Sequence, residues 1–165
     1  MTDEDLELEW RVPHLWVMVS TEVLAVVGLA ISTYLTIAHF IGTQALACSD
    51  TGIINCAKVT TSAQSEFLGI PVAVLGLGYY VVAVIFYSPW VWHSSNRLVH
   101  VARLAFSIMG MLFVLWLLTA EFVIIKNICI WCTAVHVVTF SLFVITMLTA
   151  PVMLPEIPIH EPAAD

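Results

Sequence analysis

A chain of 165 residues with 61% hydrophobic and only 10% charged residues is excluded from the ordinary soluble class, where apolar residues make up about half and charged ones about a quarter. Its net charge of -7, with five Lys plus Arg in all, leaves no basic footprint for nucleic acid. A mean hydropathy of +0.99 places it in a bilayer, and its length allows one domain.

The first residues are acidic, with Asp3, Glu4, Asp5, Glu7 and Glu9. A cleaved signal peptide needs a positive n-region, so the first apolar run is expected to stay as a membrane helix. Four runs reach the roughly 20 apolar residues that a crossing needs: 15–41, 71–92, 98–125 and 128–154. The first holds Glu22 and His39. The second opens with Pro71, suited to a first helical turn because its missing N–H is not needed there. The third carries Glu121 near its end, and Pro151 and Pro155 mark the stop of the fourth. Residues 1–13 and 155–165 then read as acidic tails, the second Pro-rich, around a four-helix domain at 14–154.

The connections differ in character. The interval 42–69 holds a Gly-Ile-Ile-Asn turn and a Thr-Thr-Ser cluster. Thr61 with Gln64 fits a capping box, which predicts a short helix lying on the membrane surface. Two Trp in the turn at 88–96 suit an interfacial aromatic belt. Only Lys126 and Asn127 separate the third and fourth runs. Four crossings put the 42–69 loop and the 126–128 turn on one side, so all four cysteines face one compartment. Arg11, Arg97 and Arg103 on the opposite side outnumber Lys58 and Lys126, which places both termini in the cytoplasm. An oxidising exterior is also where paired cysteines work as disulfides.

Cys129-Ile-Trp-Cys132 opens the last run. A Cys-x-x-Cys at a helix N-terminus sets both sulfurs on one face, and the orphan N–H groups there lower the first thiol's pKa. Such a pair makes an exchangeable disulfide. Cys48 and Cys56 lie eight apart in a Gly-containing loop, close enough to bond and free to swing, so two pairs on one face point to a relay. A structural zinc site is the competing reading, but it usually wants two tight Cys-x(2–4)-Cys knuckles. Covalent haem needs His after the second Cys, where Thr133 stands. A pair of inert disulfides stapling the loop remains as the other structural reading.

His136 falls on the Cys129/Cys132 face one turn deeper, where an ionisable group at membrane depth is a functional candidate. It reads equally as a ligand contact or as a His satisfied by a backbone carbonyl. Glu22 is expected to pair with Arg103 or to snorkel, while His39 and Glu121 read as solvated at the interface. Gly69, Gly76 and Gly78 could let helices approach, and Ser62 could simply cap a helix.

In order along the chain, Cys48-Ser-Asp, Asn55-Cys56-Ala-Lys-Val-Thr-Thr-Ser62, Gly69-Ile-Pro71 and Cys129-Ile-Trp-Cys132 resemble the vitamin K epoxide reductase family. The likeness is greatest to its bacterial members and spans residues 34–146. It implies an all-α membrane protein, a four-transmembrane-helix bundle around a quinone, with a short horizontal helix in the first extracytoplasmic loop. By the family's scheme Cys132 reacts with the quinone and Cys129 is its partner. Cys56 exchanges with Cys129, and Cys48 meets the protein substrate. His136 stands where animal members carry a Tyr that hydrogen-bonds the quinone, and Ser62 matches the family's Ser near the ring. The Asn of the animal members' second helix has no counterpart here.

The resulting expectation is a quinone-dependent thiol-disulfide oxidoreductase of the bacterial cytoplasmic membrane. It would oxidise a separate thioredoxin-fold protein and pass electrons to menaquinone or ubiquinone, without a fused thioredoxin-like domain. An unrelated four-helix disulfide-generating quinone reductase is the alternative enzyme, but that type places Cys-x-x-Cys in the first loop. A membrane scaffold or metal-binding protein with structural cysteines is the alternative outside catalysis.

Overall fold

The computed structural model describes residues 13–48 and 51–153; the two tails read from the sequence lie outside these, apart from Pro13. Helix α1 is Leu15–Ile41. Its Thr21, Thr33 and Thr36 hydroxyls donate to backbone carbonyls four residues back at 2.8, 2.7 and 2.7 Å, so these three hydroxyls need no water. Gly42 ends the helix at φ 119°, its N–H returning to the Ala38 carbonyl. That left-handed backbone is open to Gly at little cost.

A 3₁₀ turn at Thr43–Ala45 leads into the loop. Helix α2 is short, Cys56–Thr60, and Asn55 caps it through a 2.8 Å bond from the Lys58 N–H to its side-chain oxygen. The expected Thr61–Gln64 capping box does not form. Thr61 instead closes α2, its hydroxyl donating to the Ala57 carbonyl at 2.8 Å. A second 3₁₀ turn, Ala63–Ser65, precedes a minimal antiparallel ribbon, β1 Glu66–Phe67 and β2 Ile70–Pro71.

Helix α3 is Val72–Tyr87 and α4 is Pro89–Trp92, so the expected single run at 71–92 breaks at Ser88. Pro89 has no N–H to continue the ladder of α3, yet it suits the first turn of α4. Pro71 caps α3 from outside and does not occupy its first turn. Helix α5 is Arg97–Thr119, continued by a π-helical turn at Ala120–Ile125. Helix α6 is Ile130–Met153 and runs through Pro151. The chain is thus an all-α membrane protein. Among the described residues, three helices are long and apolar enough to cross a bilayer, and α3, with 16 residues, is a shorter apolar helix.

Helix α1 packs on both α3 and α6, and α5 packs on α6. Ala25, Tyr80, Ala83, Tyr87, Val138 and Leu142 form the inner cluster. The Tyr80 hydroxyl donates to the Val135 carbonyl at 3.0 Å and lies 2.8 Å from Thr139 Oγ1, and Tyr87 meets Thr146 at 2.7 Å. Each such bond contributes about 1 kcal/mol. The close approaches fall at Gly28, where a Cβ would strike the Tyr80 ring, and at Gly110 against Tyr79; Gly76 and Gly78 leave room around them.

Opposite the loop end, the expected Glu22–Arg103 pair is absent. Arg103 is buried and its guanidinium lies 3.4 Å over the Trp92 ring, with Nη2 donating to His100 Nδ1 at 3.0 Å. The ring face and the imidazole hold the cation without bringing a carboxylate inward, while Nε and Nη1 meet no acceptor among the described residues. Trp92 is therefore buried, and of the two Trp only Trp90, 88% exposed, suits the interfacial belt.

Candidate functional site

The first loop is stitched to the turn before α6. The Asn55 N–H donates to the Ile128 carbonyl at 3.1 Å, and the Ile128 N–H donates to the Ile53 carbonyl at 2.9 Å. Asn127 Nδ2 adds bonds to the Gly52 and Ile53 carbonyls at 3.4 and 3.1 Å. The tight turn from Thr51 to Ile54, with Gly52 at φ 61°, presents those carbonyls. Trp131 Nε1 donates to the Ala47 carbonyl at 3.1 Å, and its ring meets Tyr34 edge-on at 4.8 Å. Tyr34 in turn binds Ala45 and Ala47, each at 2.8 Å. The two cysteine segments are thus pinned on both flanks.

As a result, Cys56 and Cys129 lie in one buried cluster with Leu35, Ala38, Leu46 and Val59, both fully shielded. Cys48 and Cys56 form a disulfide, with Cα atoms 6.1 Å apart. Cys129 and Cys132 are free thiols, the first buried and the second half-buried. Asn127→Ala removes the two side-chain bonds and is expected to cost about 1–2 kcal/mol. A thermal melt lower by a few degrees, together with faster proteolysis of the 51–55 turn, checks it; an unchanged melt shows that the backbone bonds hold the loop alone.

Cys129 occupies the N-cap position of α6. Its carbonyl accepts the first helical bond, from Thr133 N–H at 2.8 Å, and its sulfur accepts from the Cys132 N–H at 3.4 Å. The Cys132 thiol also hydrogen-bonds that sulfur. This bond, joined by the Cys132 and Trp131 backbone N–H groups, outweighs burial and lowers the Cys129 thiol to about 7. A free cysteine has a pKa near ~8.5.

Between α3 and α5 lies a cavity of about 490 Å³, lined also by α1, α6 and the segment from Val59 to Phe67. Phe67 of the ribbon packs edge-on against Phe113 and Trp116 of α5, at 5.6 and 5.5 Å. The walls are mostly apolar, Leu35, Val72, Val114 and Leu117 among them. Cys132 lines this cavity and Cys129 does not. His136 lines it one turn deeper, 5% exposed, and its Nδ1 has no hydrogen-bond partner among the described residues. The alternative of a His satisfied at that nitrogen by a backbone carbonyl is not what is seen. Ser62 also faces the cavity, but its hydroxyl donates to the Val59 carbonyl at 2.8 Å. It therefore offers lone pairs there, not a proton.

Two residues read as interfacial turn inward. His39 lines the cavity, and Glu121 lines it while only 3% exposed. The signal for Glu121 was present: it is the sole acidic residue of the 98–125 run. Among the described residues, no three His, Cys, Asp or Glu side chains are placed to hold a metal.

The model of the vitamin K epoxide reductase family matches residues 19–147. The chain belongs to that family. No individual curated protein matches it. Vitamin K epoxide reductase family membership makes it a membrane thiol-disulfide oxidoreductase. Members of this family use quinones and are generally tied to thioredoxin-fold partners. The matched region spans all four cysteines, the cavity and every long helix except the two ends of the bundle.

Proposed function

We propose that this chain is a quinone-dependent protein-thiol oxidase, in which Cys48, Cys56, Cys129 and Cys132 form an electron relay. One observation carries the reading: Cys132 opens onto an apolar cavity within the bundle, while Cys129 beside it shares a buried cluster with Cys56. A thiol pair three residues apart thereby faces two different reactants. The cavity volume of about 490 Å³ falls in the usual range of ~300–1,000 Å³ for small-ligand sites. Its apolar walls with the orphaned His136 Nδ1 suit a flat ring bearing carbonyl oxygens.

In this scheme the dithiol of a separate thioredoxin-fold protein attacks the Cys48–Cys56 disulfide at Cys48. The partner's second thiol resolves the mixed disulfide, leaving oxidised partner and two loop thiols. Cys56 then attacks Cys129 of an oxidised Cys129–Cys132 pair and releases Cys132 as thiolate. The Cys48 thiol then attacks Cys56 of the Cys56–Cys129 link, re-forming Cys48–Cys56 and freeing Cys129, and the Cys129/Cys132 dithiol gives up two electrons and two protons into the cavity as its own bond re-forms. A bound quinone supplies the two-electron, two-proton acceptor for this chemistry. His136 holds a carbonyl oxygen by hydrogen bond, with Ser62 at the rim. About 30 mV is worth roughly 1.4 kcal/mol for a two-electron step, so a menaquinone or ubiquinone pool slightly above the partner's potential drives net oxidation.

With α3 and α4 together completing the second of four crossings, the cysteines lie opposite both termini, and the excess of Arg11, Arg97 and Arg103 over Lys58 and Lys126 supports a cysteine face outside the bacterial cytoplasmic membrane and termini in the cytoplasm. Residues 14–154 then form the membrane domain between tails 1–13 and 155–165. The test is direct: the protein in liposomes with menadione or ubiquinone-1, supplied with a reduced thioredoxin-fold protein. Quinol should form in step with oxidised partner. If no quinol forms while the purified protein retains zinc, the scaffold or metal-binding reading replaces this one.

A further inference from the structure

Glu121 is the second residue of the π-helical turn Ala120–Ile125, and its carbonyl accepts the Lys126 and Asn127 N–H groups. A π turn takes one residue more than an α turn and recurs at functional positions. Here the Glu121 carboxyl is turned inward and 97% hidden, since the residue is 3% exposed. Its Oε2 meets no donor among the described residues. A buried acceptor left without a donor costs free energy, so packing alone does not account for it. The side chain shares the cavity wall with Cys132 and His136. It is also close enough to both Cys129 and Cys132 for charge on one to be felt at the other.

On the quinone reading above, we infer that Glu121 is a further catalytic residue, carrying protons from the thiol pair to the quinone oxygens. Forming the Cys129–Cys132 bond from the dithiol breaks two S–H bonds and releases two electrons and two protons. The quinone takes up all four and leaves as quinol. Glu121 accepts a thiol proton on one carboxyl oxygen and releases a proton from the other, so its own state is unchanged over a turnover. The Tyr80 hydroxyl, also on the cavity wall, is already held by Val135 and Thr139. His136 is left to hold a carbonyl from α6.

The test uses full-length protein in liposomes, with ubiquinone-1 as oxidant and dithiothreitol as reductant. Glu121→Gln keeps shape and polarity but cannot pass a proton, so kcat should fall about a hundredfold with KM little changed. Glu121→Asp should restore part of the rate. Infrared difference spectra of the wild-type protein on adding ubiquinone-1 should show a carboxyl C=O band that Glu121→Gln lacks and Glu121→Asp keeps shifted. Wild-type kcat in Glu121→Gln, or a carboxyl band that persists in it, overturns the assignment while the quinone reading stands. Absence of quinol from the wild-type protein overturns both. The infrared readout on the wild-type chain stands even if the Gln variant folds poorly.

Discussion

Cys132→Ala should cut quinone reduction by at least about a thousandfold, the scale seen when a residue that makes and breaks bonds is deleted. The same variant should accumulate a Cys56–Cys129 disulfide. Cys129 keeps its N-cap seat against Cys56, so it can attack the Cys48–Cys56 bond and free the Cys48 thiol. That exchange conserves electrons, and with no thiol at 132 nothing resolves it from the cavity side. Peptide mapping under non-reducing conditions reads the bond directly. Turnover undiminished in Cys132→Ala would remove this residue from the route to the quinone. A map showing only Cys48–Cys56 would mean that Cys129 does not exchange with the loop.

Activity should fall steeply on the acid side of neutrality because of Cys129. Its thiol is lowered to about 7, first by the Cys132 thiol and then by the backbone N–H groups of Cys132 and Trp131. Cys129 is needed as a thiolate when its bond to Cys132 re-forms, because the thiolate is the reactive form, so the reactive fraction grows as pH rises through about 7 and then levels off. Below that point each pH unit removes about a factor of ten, or roughly a hundredfold between pH 7 and 5. With Cys48–Cys56 oxidised, ultraviolet thiolate absorbance should show its first midpoint near 7. Cys132→Ala deletes the leading hydrogen bond and should move that midpoint up, toward ordinary thiols. A midpoint that stays put would assign the effect to the backbone N–H groups alone.

The four hydrophobic runs were legible because lipid demands long apolar stretches whatever the rest of the fold does, and α1, α5 and α6 match them within a few residues. The break at Ser88 was written in Pro89 and was overlooked because the run on either side stays apolar. Asn55 beside Cys56 is a better cap signal than Thr61 with Gln64, and the structure uses it. The inner face of α6 was readable from spacing, since helical periodicity alone brings Cys132 and His136 onto one wall.

Glu121 was not readable in that way. A carboxylate near the end of an apolar run looks like an interfacial group, and the π turn that points it inward depends on how α5 meets the 126–128 turn. Arg103 is a similar case: its charge suggested a carboxylate, while it meets the ring of Trp92 across a helix break and the imidazole of His100 one turn back on its own helix. By itself the sequence determined the apolar helices, the one-sided grouping of the cysteines and the family, because all three rest on local composition, parity of crossings and residue order. Only the tertiary structure decided that Cys129 is sealed against Cys56 while Cys132 opens on a cavity, and that Glu121 shares its wall. Those outcomes depend on contacts between segments some 70 residues apart, such as Asn127 with Ile53, which no local pattern encodes.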